Sequence, residues 1–263
     1  MQNILSVKNL SIAYNNKMVV NNVNFELNRG EILAIVGESG SGKSTILKAV
    51  AGLLGRNGKI STGQIIFNDR DITIIDDNER RKLSGEAIAM IFQNSGASFC
   101  PIRTIGEQIY ESVQSHKNWT HTEFVERATN IMRSINLDES VLNEYPFRLS
   151  GGMGQRAGIL AAMILEPHLL LADEPTSALD TVTQVSVVKE LLKLRQQKNL
   201  SILIVTHHMG VAYYMADKVL IMRQGQAVEL GTKQQIFKSP REKYTQELIK
   251  AVPKFEYTER KAS

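Results

Sequence analysis

One short stretch of this sequence combines glycines, a lysine and serine hydroxyls in an order that suits a phosphate chain. The residues that match the pattern G-x-x-x-x-G-K-[ST] are Gly37, Glu38, Ser39, Gly40, Ser41, Gly42, Lys43 and Ser44. Glycines allow the backbone to turn its N–H groups towards phosphate oxygens, and the start of a helix adds a partial positive charge. Lys43 can reach β- and γ-phosphate oxygens, while the Ser44 hydroxyl can bind Mg²⁺.

The setting of this stretch favours a phosphate site over a simple glycine-rich turn. The apolar run Glu31–Val36 precedes it, and a helical run that begins at Thr45 follows it. A phosphate-binding loop needs this order of strand, loop and helix. The stretch therefore predicts a nucleoside triphosphate site, to which Thr45 also belongs.

A second apolar run ends in two acidic residues, Asp173 and Glu174. Ligands of open α/β sheets bind at the carboxyl ends of the strands, so Asp173 is expected in the Mg²⁺ shell and Glu174 beside the attacking water. The alternative is that these acids cap a helix that starts near Pro175 and Thr176.

The elements that position these residues follow an α/β rhythm, in which short apolar runs alternate with longer amphipathic stretches. Glu31–Val36 reads as a strand buried on both faces. Its expected companions in the sheet are Ala87–Phe92, Leu169–Asp173, Ile202–Thr206 and Lys218–Met222. A separate antiparallel sheet is expected from Leu5–Ala13, Val19–Leu27 and Gly63–Phe67, with a turn at Asn15 and Asn16.

The β-α alternation breaks in a long interval that has helical periodicity and almost no strand signal. We therefore expect a nucleotide-binding core in residues 1–97 and 167–240, and an inserted helical subdomain in residues 98–166. Residues 241–263 are expected to form a C-terminal helix and a loose polar tail, the tail being Lys254–Ser263.

Composition narrows the class of protein. The 263 residues are 43% hydrophobic and 22% charged, which is typical of a globular chain. No apolar run is long enough to span a bilayer, and no secretory signal is visible, so the cytosol is the expected compartment. The net charge of +4 comes from scattered residues and does not indicate nucleic-acid binding. The single cysteine, Cys100, excludes an internal disulfide and cannot ligate an iron–sulfur cluster, so an iron-free protein is expected.

A third motif makes a family resemblance specific. Leu149–Met153 reads Leu-Ser-Gly-Gly-Met and precedes an amphipathic run, Gln155–Leu165. Together with the loop at residues 37–44 and the acids at 173 and 174, it resembles the ATP-binding subunit of an ATP-binding-cassette transporter. The resemblance implies a RecA-like P-loop core with an N-terminal antiparallel β-subdomain and an inserted α-helical subdomain. Without the other two motifs, Ser-Gly-Gly would read as a loop and a helix N-cap.

The resemblance also implies a composite site that binds ATP and Mg²⁺. In the family, the signature loop of one subunit closes on the nucleotide held by the other, so Ser150, Gly151 and Gly152 would contact the partner's ATP. Tyr14 would stack on adenine, although an aromatic residue at a strand end often serves packing alone. Asp180 would cross the dimer interface, and it can also cap the helical run Thr181–Lys198.

Two further positions complete the implied catalytic set. Gln93 resembles the glutamine that touches Mg²⁺ and the attacking water, where the alternative is a solvated polar residue. His207 resembles the histidine that contacts the γ-phosphate. His208 departs from the family, in which aspartate is common. Because neighbouring side chains at a strand end are expected to diverge, the two histidines do not indicate a metal site.

Several stretches resemble the peptide and nickel importer branch of the family, with departures at Cys100 and Gly154. The short C-terminus favours import of nickel or a metal chelate, and import of oligopeptides or dipeptides is the alternative. The resemblance implies a second ATPase subunit, identical or related, and two transmembrane permeases at the cytoplasmic face of the membrane. An extracytoplasmic binding protein would act indirectly. Alternatives of another class are a soluble cassette ATPase of translation or DNA repair and a nucleotide-gated binding module without turnover.

Overall fold

The computed structural model describes residues 2–251, so the predicted loose tail lies outside the described residues. The strands in this range are β1 (Asn3–Tyr14), β2 (Lys17–Asn28), β3 (Ile32–Val36), β4 (Gly58–Phe67), β5 (Arg70–Asp71), β6 (Ile88–Ile91), β7 (Leu169–Asp173), β8 (Ser201–Thr206), β9 (Lys218–Arg223) and β10 (Gln226–Thr232). The α-helices are α1 (Lys43–Ala51), α2 (Asp77–Leu83), α3 (Ile105–Gln114), α4 (His121–Ser134), α5 (Gly151–Met163), α6 (Thr181–Lys198), α7 (Met209–Met215), α8 (Lys233–Lys238) and α9 (Lys243–Lys250).

The strands form two sheets. The N-terminal sheet is antiparallel, with the order β2-β1-β4-β5. Asn15 and Asn16 join β1 to β2 with φ of 47° and 63°, the left-handed conformation that a tight hairpin turn needs. The antiparallel sheet and its turn were both predicted.

The second sheet has the order β10-β9-β3-β8-β7-β6. β6, β7, β8, β3 and β9 pair in parallel, whereas the edge strand β10 pairs with β9 in antiparallel orientation. All residues of β3, β7 and β8 are buried, as strands covered on both faces should be. The predicted α/β class and the five predicted strands of this sheet are confirmed.

The two faces of the second sheet bury separate apolar cores. One core joins the sheet to α1 and to the N-terminal sheet, and it includes Leu33, Ile46 and Leu203. The other joins the opposite face to α5, α6 and α7, and continues into α3 and α4. In residues 98–166 the structure contains α-helices and short 3-10 turns, as the helical periodicity predicted.

Some elements differ from the prediction. β10 was missed because it is an edge strand whose side chains are mostly exposed or half-buried, which removes the apolar signal. α2 was missed because none of its residues is buried. α5 begins at Gly151 instead of Gln155, since Ser150 caps it. No helix within the described part of the chain is both long and apolar enough to cross a membrane.

Candidate active site

The phosphate-binding stretch forms a tight loop between β3 and α1. Gly42 ends the loop with a φ of 94°, a left-handed conformation that favours glycine. Gly37 begins it so close to β9 that a Cβ there would lie 2.1 Å from the carbonyl oxygen of Met222. A side chain at either position would displace the loop, which explains why glycines stand there.

Lys43 is buried at the first turn of α1. Its Nζ donates hydrogen bonds to the carbonyl oxygens of Gly37 and Glu38, at 2.7 and 2.6 Å, and to Ser41 Oγ at 3.3 Å. Burial lowers the pKa of Lys43, and the carboxylates of Glu174 and Asp173 oppose that shift. A cation therefore lies inside the loop, with donors that can be redirected to phosphate oxygens.

Ser44 and Asp173 form the adjacent pair of oxygen donors. The Ser44 hydroxyl donates to Asp173 Oδ1 at 2.7 Å. Burial raises the pKa of Asp173, and the bond from Ser44 opposes the shift. A hydroxyl and one carboxylate are ligands that suit Mg²⁺, which keeps several waters and few protein ligands. The two residues therefore fit the predicted role.

Glu174 has an uncommon backbone conformation. Its φ is 45°, the left-handed region that non-glycine residues seldom adopt, and its N–H donates to Val205 O at 2.9 Å. This geometry places Glu174 Oε1 3.0 Å from His207 Nδ1, and Oε2 3.5 Å from Gln93 Nε2. The alternative that these acids cap a helix starting near Pro175 and Thr176 is wrong, because the next helix, α6, begins only at Thr181.

The contact between Glu174 and His207 indicates how the imidazole is oriented. A neutral histidine donates from only one ring nitrogen, and Nδ1 faces the carboxylate. Nε2 then keeps a lone pair, which can accept a hydrogen bond. His207 and Glu174 therefore form a hydrogen-bonded pair.

Gln93 is exposed beyond β6, yet it is not merely solvated. Its Nε2 donates to Ser177 Oγ at 3.3 Å, and Ser177 Oγ donates in turn to Glu174 O at 3.1 Å. Ser177 was not predicted to touch this site. Its contact with Gln93, 84 positions away, depends on the sheet order and leaves no local signal in the sequence.

The two neighbouring histidines lie closer together than predicted. The expectation that their side chains diverge is wrong, because the ring centroids of His207 and His208 are 4.0 Å apart and the planes are inclined by 39°. β8 ends at Thr206 and His208 precedes α7, so the alternation of a strand does not extend to this pair. Nevertheless, among residues 2–251 no group of three His, Cys, Asp or Glu side chains is placed to hold a metal ion.

The signature residues and Asp180 form a second group at the starts of α5 and α6. Ser150 caps α5 by accepting from Met153 N at 3.3 Å, and Gly151 and Gly152 form its first turn. Asp180 caps α6 by accepting from the N–H groups of Val182 and Thr183 at 3.0 Å. A Cβ at Gly152 would lie 2.9 Å from Thr183 Cγ2, so the two helix starts pack together. Capping, the alternative reading of Ser150 and Asp180, is thus observed.

Other residues of the predicted set lie at the margins. Tyr14 ends β1 and lies opposite Gly58. Its half-buried ring packs on Gly58 so closely that there is no room for a side chain at position 58. This packing is the alternative that the sequence left open for Tyr14, and stacking on adenine stays a prediction. Glu38, Ser39 and Gly40 form the exposed rim of the phosphate loop, whereas Ser41 is buried and Thr45 lies half-buried in the first turn of α1.

The arrangement as a whole brings a buried lysine, a serine–aspartate pair and a glutamate–histidine pair to one edge of a parallel sheet. These groups can neutralise a phosphate chain, bind a divalent cation and orient a water molecule. Residues 20–177 match the family described as ABC transporter. The chain belongs to the ABC transporter family. The ATP-binding proteins of this family are ATPases.

Curated relatives of this chain are named as ATP-binding proteins of import or transport. The Glutathione import ATP-binding protein GsiA of Salmonella typhimurium strain LT2 is 40% identical over 96% of this chain. This chain spans 42% of the length of that relative. The Dipeptide transport ATP-binding protein DppD of Escherichia coli K12 is 38% identical over 96% of this chain and 79% of its own length.

A solved ABC structure supports the fold. The dimeric, post-hydrolysis ATP-binding cassette MJ0796, bound to ADP and Pi, is 27% identical and superposes with a TM-score of 0.78. The match covers 88% of this chain and 99% of that one. A RecA-like P-loop core accompanied by an antiparallel sheet is therefore established for this chain.

The two departures from the importer branch have structural explanations. Gln108 holds the loop at Cys100 through the backbone, since it accepts from Cys100 N at 2.7 Å and donates to Cys100 O at 3.1 Å. The exposed Cys100 side chain takes no part in these bonds. Gly154 packs against Gly96, and a Cβ on Gly154 would lie 3.1 Å from Gly96 Cα. A side chain at position 154 would push the segment after Gln93 away from α5.

Proposed function

We propose that this chain hydrolyses MgATP as the motor subunit of an ABC importer that takes up small peptides. The observation that carries the hydrolytic part is the position of the Glu174 carboxylate. It lies between His207 and Gln93, next to the pair formed by Ser44 and Asp173. A carboxylate placed there can orient a water molecule towards the terminal phosphate of a nucleotide held by the loop.

In the proposed reaction, the oxygen of that water attacks the γ-phosphorus, and the bond to the β–γ bridging oxygen breaks. Glu174 orients the water and accepts its proton, and His207 stabilises the pair through Nδ1–H. Lys43 exchanges its three contacts within the loop for phosphate oxygens. Ser44 and Asp173 would hold Mg²⁺, which supplies positive charge to the phosphate oxygens.

We propose further that the site is completed by a second ATPase subunit, a copy of this chain or a related one. Ser150, Gly151 and Gly152 would then contact ATP bound to the loop of the partner, and Asp180 would lie at the interface. The N-terminus of α5 supports this role, because its exposed N–H groups and the Ser150 hydroxyl can serve an anion. Tyr14 would stack on the adenine of the chain's own nucleotide.

The proposed division of the chain follows the sequence prediction. Residues 1–97 and 167–240 would form the ATP-binding core, residues 98–166 a helical subdomain, and residues 241–263 a C-terminal helix and tail. The segment after Gln93 packs on α5, with Ser95 against Gly158 and Gly96 against Gly154. This packing gives the helical subdomain a direct link to a residue that touches Glu174.

The proposed cargo, a small peptide, differs from the nickel or metal chelate that the sequence led us to expect. GsiA is named for glutathione import and DppD for dipeptide transport, and neither name mentions a metal. Small peptides therefore fit better than nickel. Two transmembrane permeases would anchor the motor at the cytoplasmic face of the membrane, and an extracytoplasmic binding protein would deliver the peptide. The ATPase subunit itself would not contact the cargo.

The hydrolytic role is tested by Glu174→Gln, which preserves size but removes the carboxylate charge. We expect turnover of ATP to fall at least ~100-fold, while the dissociation constant for ATP changes by less than about threefold. Glu126→Gln, an exposed glutamate on α4, is the matched control and should hydrolyse ATP like the wild type. Unchanged turnover in Glu174→Gln would remove Glu174 from the mechanism.

The cargo is tested in the assembled complex with its permeases and binding protein. ATP turnover should rise when the binding protein carries a dipeptide or glutathione, and should stay at the basal rate with nickel alone. Stimulation by nickel or a nickel chelate, with peptides inert, would return the assignment to metal import. The residue roles at the ATP site would be unaffected by that result.

A further inference from the structure

The C-terminal helix α9 buries a tyrosine hydroxyl beside the phosphate loop. Tyr244 is 7% exposed, and its hydroxyl oxygen makes no hydrogen bond of standard geometry with the described residues. Glu38 lies close to this hydroxyl and offers its backbone N–H and its carboxylate. A buried hydroxyl without a partner is costly, so its position beside the loop needs an explanation.

Several contacts fix α9 in this place. Glu229 on β10 accepts hydrogen bonds from the N–H groups of Arg241 and Glu242, at 2.9 and 3.2 Å, just before the helix begins. Gln246 Nε2 donates to Pro240 O at 3.1 Å. The guanidinium of Arg223 lies over the Tyr244 ring, 4.6 Å from its centroid. The ring therefore has little freedom to turn away from Glu38.

The hairpin of β9 and β10 holds the other side of the loop. Gly37 lies against the carbonyl of Met222, the residue before Arg223. The N–H of Gly225 donates to Ser41 O at 3.1 Å. The phosphate loop thus packs against the hairpin and α9. Tyr244 is the side chain of α9 that lies close to Glu38.

We infer that Tyr244 is a positioning residue, whose hydroxyl bonds to Glu38 when Lys43 releases the loop carbonyls and turns to the phosphates. In the present structure the carbonyl of Glu38 is held by Lys43 Nζ at 2.6 Å. Once Lys43 exchanges that contact for phosphate, the segment at Glu38 is freer to shift, and the Tyr244 hydroxyl can then bond to the Glu38 carboxylate or N–H. This inference rests on the proposed binding of nucleotide at the loop.

The ionisation state of Tyr244 suits this role. Burial raises the pKa of the phenol, the Glu38 N–H opposes that shift, and the Glu38 carboxylate adds to it. The phenol therefore keeps its proton at neutral pH. It can donate to the carboxylate and accept from the N–H.

The test is Tyr244→Phe, which removes only the hydroxyl and retains the ring beneath Arg223. Binding of MgADP, which is not consumed, is measured by calorimetry, and unfolding of the nucleotide-free protein by thermal melting. We expect MgADP to bind about three- to tenfold more weakly, which is the loss of affinity that corresponds to one buried hydrogen bond. The nucleotide-free Tm should stay the same or rise by about 1–2 °C, because an unpaired hydroxyl has been removed.

Two further variants separate positioning from packing. Tyr110→Phe is the matched control, since it removes the hydroxyl that donates to Trp119 O at 3.0 Å in the helical region, and it should leave MgADP affinity unchanged. Glu38→Gln combined with Tyr244→Phe should weaken binding by less than the product of the two single effects. Those two results would support transmission through Glu38.

The inference is overturned if Tyr244→Phe binds MgADP within about twofold of the wild type, or if its weaker binding is matched by an equal loss in Tyr110→Phe. It is also overturned if the effects of Tyr244→Phe and Glu38→Gln multiply independently. Failure of the wild type to bind MgADP would instead refute the nucleotide site itself. The two kinds of failure are therefore distinguishable.

Discussion

At the scale of residues, the site depends on a glutamate whose backbone is held in an uncommon conformation. Left-handed φ at a non-glycine residue costs on the order of 1 kcal/mol, and it persists only where surrounding bonds impose it. For Glu174, the bond from its N–H to Val205 O and the contact with His207 Nδ1 provide that restraint. The strain places the carboxylate where it faces both His207 and Gln93.

His208 is the residue at which this chain departs from its family inside the site. Its pKa lies below the ordinary value of 6.5, first because of burial and second because of His207, while Glu174 opposes the shift. The unfolded chain therefore binds a proton more readily than the folded one between the lowered pKa and 6.5. This stability contribution is present above pH 6.5 and is lost as the pH falls through the lowered pKa.

The pH dependence of unfolding tests this effect. His208→Asn cannot titrate, so its Tm should fall less than that of the wild type as the pH drops below neutrality. Thermal melting over a pH series measures it, with the exposed His168→Asn as the control. Parallel Tm profiles for His208→Asn and the wild type would contradict a contribution of His208 to the pH dependence of stability.

At the scale of elements, a buried ion pair ties the signature helix α5 to α6. Arg156 Nε and a terminal guanidinium nitrogen donate to Glu190 at 3.0–3.1 Å, and Glu190 is 3% exposed. Ser186 and Asn136 donate to the same carboxylate. The cluster fixes the two helices whose starts carry Ser150 and Asp180.

Removing the charge of Glu190 should destabilise the protein. Glu190→Gln leaves the half-buried Arg156 without its counter-ion, so we expect the free energy of unfolding to fall by about 2–4 kcal/mol. Glu139→Gln breaks the exposed pair with Arg133, whose side chains are 53% and 69% exposed, and it should cost less than about 1 kcal/mol. Urea unfolding of both variants measures the difference. Equal losses would show that the pair does not fix α5 and α6.

Much of the fold was predictable because apolar runs and capping residues are local signals. Leu169–Asp173 and Thr181–Lys198 were predicted with the limits that the structure shows. β10 and α2 escaped prediction because neither buries an apolar stripe. At the site, the phosphate loop and the two acids could be found from spacing alone. Ser177 and Tyr244 could not, since their contacts arise only when distant segments of the chain pack together.

At the scale of the whole molecule, the predicted site residues fall into two groups. One group surrounds Lys43 and Glu174 at the edge of the parallel sheet, and the other lies at the starts of α5 and α6. In the proposed dimer, the first group of one subunit faces the second group of the other. Each ATP would therefore need residues from both chains.

The most direct test of this shared ATP site is complementation between two inactive variants. Lys43→Ala removes the phosphate-binding cation, and Ser150→Arg blocks the signature surface, so each protein alone should lose most of its ATP turnover. In a mixed dimer, one site carries both changes and the other carries neither. An equal mixture that pairs at random should therefore recover up to about a quarter of wild-type turnover, provided the two sites act independently. A mixture no more active than the sum of the two variants alone would contradict a site shared between two copies of this chain.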